Sequence, residues 1–295
     1  MTTESSLNDA LANAVQTARA GTVRVAAGRC GSTSGTVIGE ELVATSSAAL
    51  RGAEDVKLFD DAGQERKAEL VGHDPGTEIA LIRSPGAGFA KPTFVDPNTL
   101  RVAELAIALG RPGVAIRASL RIIGLLSGEL RTPRGGKLDR YIESDRGLPD
   151  GFAGGPLVNV RGELIGMNTS ALLRGSDLAI PQATLERVAA ELTAHGRVRR
   201  GYLGVATQAV RLPAALRDQL SQRSGALVLD TDEHGPARAA GLALGDVIVA
   251  LDQIPIRTPH ELSAALSDKI GASVSLKIAR GGQLQSVTIT VGERG

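Results

Sequence analysis

Aromatic residues are scarce in this chain. Tryptophan is absent and Phe, Trp and Tyr together make up 2% of the 295 residues. The cores must therefore be filled by Val, Leu, Ile and Ala, and at 42% hydrophobic content there are enough of them. Cys30 is the only cysteine, which excludes an internal disulfide. A lone thiol of this kind reads as a small packed residue rather than a nucleophile. Charge of one sign is missing too: 33 basic and 32 acidic side chains leave a net charge of +1, giving no electrostatic attraction to nucleic acid or to an anionic membrane. No apolar run approaches the roughly 20 residues that cross a bilayer. The opening Met1–Leu7 has neither the basic stretch nor the apolar core of a secretory leader. These features predict a soluble, cytoplasmic chain, or a periplasmic one if a leader has been removed. No His/Cys/Asp cluster has metal-ligand spacing, so neither metal nor cofactor is expected.

The chain has room for about two domains. Leu7, Leu11, Ala14, Val15 and Ala18 share one helical face, which predicts a helix over 5–19 within an N-terminal segment 1–20. From Thr22 the period becomes that of strands. Thr36–Ile38 and Leu42–Thr45 flank one turn. Val56–Phe59 and Ala68–Val71 flank Asp60-Asp61-Ala62-Gly63, and Ile79–Ile82 closes a first group of about six strands. A second group lies between Leu105 and Ile180, followed by an amphipathic helix over 184–194. Short strands at this spacing predict a mainly β fold, a sandwich or a pair of barrels, over 21–194. Residues 195–200 read as a basic, solvated linker. Residues 201–295 form a separate α+β module, with Thr258-Pro259-His260-Glu261 opening a helix as N-cap, first helical proline and capping-box glutamate.

The densest signal is Gly151-Phe152-Ala153-Gly154-Gly155-Pro156-Leu157-Val158-Asn159. A glycine run of this kind turns the backbone sharply while holding one side chain in the open. In trypsin-like serine proteases that side chain is the nucleophilic serine; here it is Ala153, whose methyl can neither release a proton nor attack a carbonyl. Together with Ser34–Ile38, Leu42–Leu50, Asp74–Leu81, Leu105–Pro112, Gly162–Thr169 and Leu178–Pro181, in the same order and spacing, this run resembles the high-temperature-requirement (HtrA, DegP-like) serine protease family. The resemblance implies a chymotrypsin/trypsin-like double six-stranded β-barrel followed by a PDZ domain. It places the family's catalytic histidine at Ala48, its carboxylate at Glu78 and its serine at Ala153. The amides of Gly151 and Ala153 remain as the remnant of an oxyanion hole, and Phe152 stands where the family usually has asparagine. Of the four histidines only His73 falls within the barrels, where a solvent-facing strand end suits it better than the cleft. Thr45, Ser46 and Ser47 read as turn residues.

In the second module Tyr202-Leu203-Gly204-Val205 is similar to the family's carboxylate-binding loop. The resemblance implies that the amides of Leu203, Gly204 and Val205 take the C-terminal carboxylate of a peptide lying along the sheet edge, and the 259–268 helix is expected to form the groove's other wall. The resemblance implies a homo-oligomer, since family members usually trimerise through N-terminal aromatics, but residues 1–25 contain none, which leaves the trimer without its usual contacts. The basic hairpin Arg131–Lys137 reads as a solvated tip. The functional expectation is a catalytically inactive homologue that binds peptide C-termini or unfolded segments as adaptor, chaperone-like holder or regulator of an active HtrA paralogue. The alternatives are a weak or unconventional endopeptidase and a structural subunit of a mixed oligomer.

Overall fold

The structure is a computed structural model that describes residues 3–28, 31–53, 55–145 and 147–294. Cys30 lies outside the described residues. Two compact units are present, Met1–Val198 and Arg199–Gly295.

Unit 1 opens with helix α1 (Thr3–Ala18). Then come β1 (Thr22–Ala26), β2 (Ser32–Val37), β3 (Leu42–Ser46), β4 (Lys57–Phe59), β5 (Glu65–Arg66), β6 (Glu69–Asp74) and β7 (Ile79–Arg83). These pair in the order β5-β4-β1-β2-β3-β7-β6. The first group is thus a seven-stranded sheet rather than a six-stranded barrel, and the reason lies at the Asp60–Gly63 turn. Asp60 accepts from the Gln64 amide at 2.9 Å and from Arg66 Nε at 2.7 Å. This closes the hairpin early onto Glu65–Arg66 and frees Glu69–Asp74 to pair with β7. Val23, Val25, Val37, Val43, Leu58 and Ile82 form the apolar interior of this sheet.

The second group comprises β8 (Leu105–Gly110), β9 (Arg117–Ser127), β10 (Leu130–Arg131), β11 (Lys137–Leu138), β12 (Tyr141–Ser144), β13 (Pro156–Asn159), β14 (Leu164–Thr169) and β15 (Asp177–Ile180). Six of these close a barrel, β12-β15-β14-β13-β8-β9, while β10 and β11 form a separate hairpin. Helix α1 lays Leu11, Ala14, Val15 and Ala18 onto Ile107, Leu109, Val158 and Leu164. Leu7, on the same predicted face, stays 46% exposed because the contact begins only a turn later, at Leu11. Helix α2 (Gln182–His195) is ended by Gly196 in the left-handed region at φ 69°. The expected linker is therefore shorter than 195–200: His195 belongs to α2, and Arg200 opens the next strand.

Unit 2 holds β16 (Arg200–Tyr202), β17 (Val205–Arg211), α3 (Ala214–Leu220), β18 (Ser224–Thr231), α4 (Pro236–Ala239), β19 (Val247–Leu251), β20 (Ile254–Pro255), α5 (Pro259–Leu266), β21 (Ser273–Arg280), β22 (Gln283–Thr290) and β23 (Gly292–Arg294). Its main sheet runs β17-β18-β19-β21-β22, which leaves one edge of β17 open. Helix α5 is capped as expected by Thr258 Oγ1, which accepts from the Glu261 amide at 3.1 Å. The reciprocal bond is displaced by one residue: Glu261 accepts from the Arg257 amide at 2.6 Å.

Unit 2 is also pinned by an ion pair between a buried carboxylate and a partly exposed guanidinium. Asp246, 1% exposed, takes two hydrogen bonds from Arg280, each 2.7 Å, and one from the Ala243 amide at 2.8 Å. Burial pushes the Asp246 carboxyl upward, but Arg280 and the Ala243 amide outweigh it and hold the group below its ordinary value. A carboxyl depressed on folding adds stability that is complete above its unfolded value, near 3.9, and is lost as pH falls through the folded value. Urea unfolding of the full chain, followed by amide exchange in unit 2, should therefore show stability falling progressively once the pH drops below about 4. Asp246→Asn should lower stability at pH 7 and flatten that acid limb.

Candidate functional site: two turns braced across unit 1

The carboxylate position is built by the turn between β6 and β7. Asp74, 1% exposed, accepts from the amides of Gly76 and Thr77 at 3.0 and 3.2 Å and from Thr77 Oγ1 at 2.8 Å. The tightened turn delivers Glu78 at φ 64°, a left-handed conformation that costs a non-glycine residue roughly 1–2 kcal/mol. The gain is placement. Glu78 Oε1 accepts from Ser46 Oγ at 2.6 Å and from the Ala48 amide at 2.9 Å. The other oxygen, Oε2, is buried without a hydrogen-bond partner. Ala48 itself is exposed at the start of a short helical turn anchored by the buried Leu50. Ser46, read from sequence as a turn residue, is instead the last residue of β3 and a direct partner of Glu78.

The second turn, Gly151–Gly155, is held by the opposite half of the unit. Ser34 Oγ donates to the Gly151 carbonyl at 2.6 Å, Thr33 Oγ1 to that of Ala153 at 2.6 Å, and Thr36 Oγ1 to that of Gly154 at 2.8 Å. All three hydroxyls sit on β2. Ser34 is itself fixed, since its Oγ accepts from the Arg111 amide at 2.7 Å. The Arg111 guanidinium is buried against the Thr22 carbonyl and Asp61. The turn's oxygens are thus drawn inward. Among the described residues, the amides of Gly151 and Ala153 donate to nothing, whereas Phe152, Gly154 and Gly155 are bonded to Pro149, Asn168 and Phe152 carbonyls. Gly151 sits at φ 80°, where glycine alone is comfortable. Phe152 turns into the barrel core and is 2% exposed; its ring lies 2.6 Å from where a Cβ on Gly110 would stand. The departure from asparagine is accommodated by that glycine.

The two turns meet. A Cβ on Gly154 would lie 2.6 Å from Thr45 Oγ1 and 2.8 Å from the Ser46 amide, so the segment leading to Ala48 abuts the turn carrying Ala153. The structure therefore brings Ala48, Glu78, Gly151 and Ala153 into one region. It leaves His73 exposed on β6 and His195 at the end of α2. Among the described residues no group of three His, Cys, Asp or Glu side chains is arranged to hold a metal. The hairpin expected as a solvated tip is docked instead: Thr132 is buried, and its Oγ1 donates to the Gly76 carbonyl at 2.7 Å. A Cβ on Gly136 would overlap that same carbonyl, so the hairpin can close onto the Glu78 turn only with glycine there. The sequence signal for this bracing was the hydroxyl-rich Ser32-Thr33-Ser34-Gly35-Thr36, since buried hydroxyls require acceptors.

In unit 2 the Tyr202–Val205 loop is made in the same way. The Leu203 carbonyl accepts from the Ala237 amide at 2.7 Å and that of Gly204 from the Asp232 amide at 2.9 Å. The amides of Leu203 and Gly204 have no partner among the described residues, and Gly204 is left-handed at φ 76°. Leu203 packs in one core with Leu262 and Leu266 of α5, which ties the loop to that helix beside the open edge of β17.

A trypsin-like peptidase domain matches residues 33–167 and a PDZ domain residues 201–291; mainly β architecture with a closed six-stranded barrel, then a PDZ domain, is the class this fold defines. The chain belongs to the HtrA/DegP family of trypsin-like proteases with a C-terminal PDZ domain. It is 32% identical over 256 residues to a "Probable periplasmic serine endoprotease DegP-like" of Pseudomonas savastanoi, covering 85% of this chain and 53% of that protein. It is 34% identical over 268 residues to a protein of the same description from Halomonas elongata, covering 88% and 56%. The chain thus spans about half the length of these relatives. Among solved structures, the HtrA-type protease AlgW with decapeptide superposes with a TM-score of 0.76 at 25% identity, covering 97% of this chain and 99% of that one. A serine endoprotease from Yersinia pestis superposes with 0.75 at 25% identity, covering 97% and 98%.

Two expectations are corrected by these relatives. The inactive peptide holder gives way to the protease alternative, because the similar proteins carry the description of serine endoproteases. The cytoplasmic location gives way as well, because the sequence relatives are described as periplasmic.

Proposed function

We propose that the chain is a periplasmic, polypeptide-directed member of the serine endopeptidase family whose hydrolysis is weak or unconventional. Its PDZ domain would recruit polypeptides by their C-termini through the amides of Leu203, Gly204 and Val205. The observation that carries the reading is the braced cleft. A buried carboxylate, Glu78, is fixed on the Ala48 amide, and among the described residues the Gly151 and Ala153 amides of the neighbouring turn have no partner. Ala48 supplies no base and Ala153 no nucleophile, so water must attack the carbonyl directly and no acyl-enzyme forms. Open amides of this kind sustain about 10³–10⁴-fold acceleration over water. AlgW, solved with a decapeptide, supports peptide as the ligand class.

The test is casein and peptide hydrolysis by the purified full chain, with and without a fluorophosphonate. The expected result is slow turnover that the reagent neither labels nor inhibits. Labelling, or no turnover above the uncatalysed rate, would overturn the reading. For the PDZ domain, Gly204→Val should weaken binding of a C-terminal peptide at least about 10-fold, because the left-handed backbone and the 3.1 Å approach to Gly235 leave no place for the side chain.

A further inference from the structure

The main sheet of unit 2 has two ends. The edge of β17 takes the peptide in the proposed function, and β22 forms the other end, paired only with β21. An edge strand exposes a row of unpaired backbone groups, and proteins guard it with charge, proline, bulges or shortness. The other edges of the two open sheets are guarded in this way. β5 is two residues long and both are charged; β6 opens on the exposed Glu69 and is bulged between Leu70 and Gly72. β17 is bulged between Ala206 and Thr207. β22 has none of these devices. Its eight residues, Gln-Leu-Gln-Ser-Val-Thr-Ile-Thr, contain no charge and no proline, and they pair with β21 in unbroken register from Gln283 to Thr290. Two anchors fix which of its backbone groups point outward. The Ser275 carbonyl accepts from the Asp252 amide at 2.7 Å, so Ser275 is turned away from β22. The Val291 amide donates to the Ala272 carbonyl at 2.9 Å, so Val291 is turned toward the β21 side. Bonded and unbonded residues alternate along an antiparallel ladder, and both anchors give the same answer: the odd-numbered residues of β22 bond β21. Leu284, Ser286 and Thr288 face outward, and among the described residues their N–H and C=O groups have no partner. Pro236 of α4 closes the far end, 2.8 Å from where a Cβ on Gly292 would stand.

We propose that β22 is a self-association edge: it pairs antiparallel with β22 of a second copy of this chain, with Ser286 opposite Ser286 on the two-fold axis. That register uses all three outward residues and makes about six backbone hydrogen bonds. It sets Leu284 against the copy's Thr288 and Val287 against the copy's Gln285, cross-strand pairs without a charge among them. Charge selects the occupant. A strand with no ionised side chain meets its own copy without like-charge repulsion, and it offers a charged segment nothing to pair with. The edge is also its own complement, since a two-fold axis returns the same pleat and the same spacing of donors and acceptors. The contact is small, so the expected dissociation constant is on the order of 0.1–1 mM. Because β17 lies at the opposite end of the sheet, the paired form keeps both peptide edges open. The pairing requires neither the hydrolysis nor the peptide recruitment proposed above.

Sedimentation of the full chain with residue-resolved hydrogen exchange tests this. Between about 10 µM and about 1 mM the average mass should rise toward twice its starting value, and exchange at the Leu284, Ser286 and Thr288 amides should slow about 3-fold. The Gln285, Val287 and Ile289 amides, already bonded to β21, should not respond. Ser286→Lys and Ser286→Glu each place like charges face to face, and each should abolish the slowing. An equimolar mixture of the two variants should restore it, which happens only if position 286 faces itself. Continued protection of Gln285, Val287 and Ile289 in both variants would show that the sheet is intact. Exchange that ignores concentration, or a rise in mass without protection at Ser286, would overturn the proposal. So would protection that appears only when unfolded casein is added, because the edge would then hold a foreign segment rather than a second copy. Slowing that survives in either charge variant alone would overturn it as well.

Discussion

Installing the missing groups as Ala48→His with Ala153→Ser should raise kcat/KM for peptide substrates by about 10⁴–10⁶ over the natural chain. The upper figure is what removing such a pair costs in a comparable hydrolase. The natural geometry argues that most of it is recoverable. The histidine would be grafted onto a backbone whose amide is already bonded to Glu78 Oε1 at 2.9 Å. Oε2 is buried and without a partner, and it offers the acceptor that an imidazole N–H needs to hold its tautomer. The serine would be grafted onto a turn whose carbonyls are tied down by β2. Glu78→Asp, added as a third change, should gain little, because it withdraws the carboxylate by one methylene from the Ser46 and Ala48 donors. Fluorophosphonate labelling and steady-state hydrolysis measure the outcome. A double variant that resists labelling would show that the braced turns do not hold the groups in reacting order.

Gly154→Ala should be strongly destabilising, because it combines a clash with a left-handed backbone. Its Cβ would overlap the Ser34 carbonyl and stand 2.6 Å from Thr45 Oγ1, with the backbone at φ 84°. The left-handed conformation costs an L-residue roughly 1–2 kcal/mol and overpacking about 1–3 more. The sum, about 2–5 kcal/mol, should lower the midpoint of thermal unfolding by roughly 5–15 °C for a unit of this size. Neither clashing neighbour can retreat, since the carbonyl is backbone and Thr45 Oγ1 is bonded to that carbonyl at 2.7 Å. A shift under about 2 °C would mean that the turn is looser than these contacts imply.

Much of this fold was legible because alternation and turn chemistry act over a few residues. The strands on either side of Gly39–Glu41, the cap of α5 at Thr258 and the glycine stop of α2 all follow from local rules. The short hairpin that ends at Arg66 did not, because it depends on one side chain, Asp60, reaching both the Gln64 amide and the Arg66 guanidinium. At the candidate site the pattern led to Ala48, Glu78, Gly151 and Ala153, and the structure brings these four together. Their supports stayed hidden. Thr33, Ser34 and Thr36 lie more than a hundred positions from the carbonyls they hold, and Thr132 lies 56 positions from Gly76. Such partners are chosen by how the chain halves come together, which no short window reveals.

The exchange of supports between the halves of unit 1 separates shape from reactivity. The methyls at positions 48 and 153 carry none of the bracing bonds, whereas β2 and the 132–136 hairpin carry it for both turns. The side chains at these two positions can therefore be exchanged without removing any of these bonds. A lesion in β2, remote in the chain from either turn, would by contrast deform the cleft whatever residues happened to occupy it.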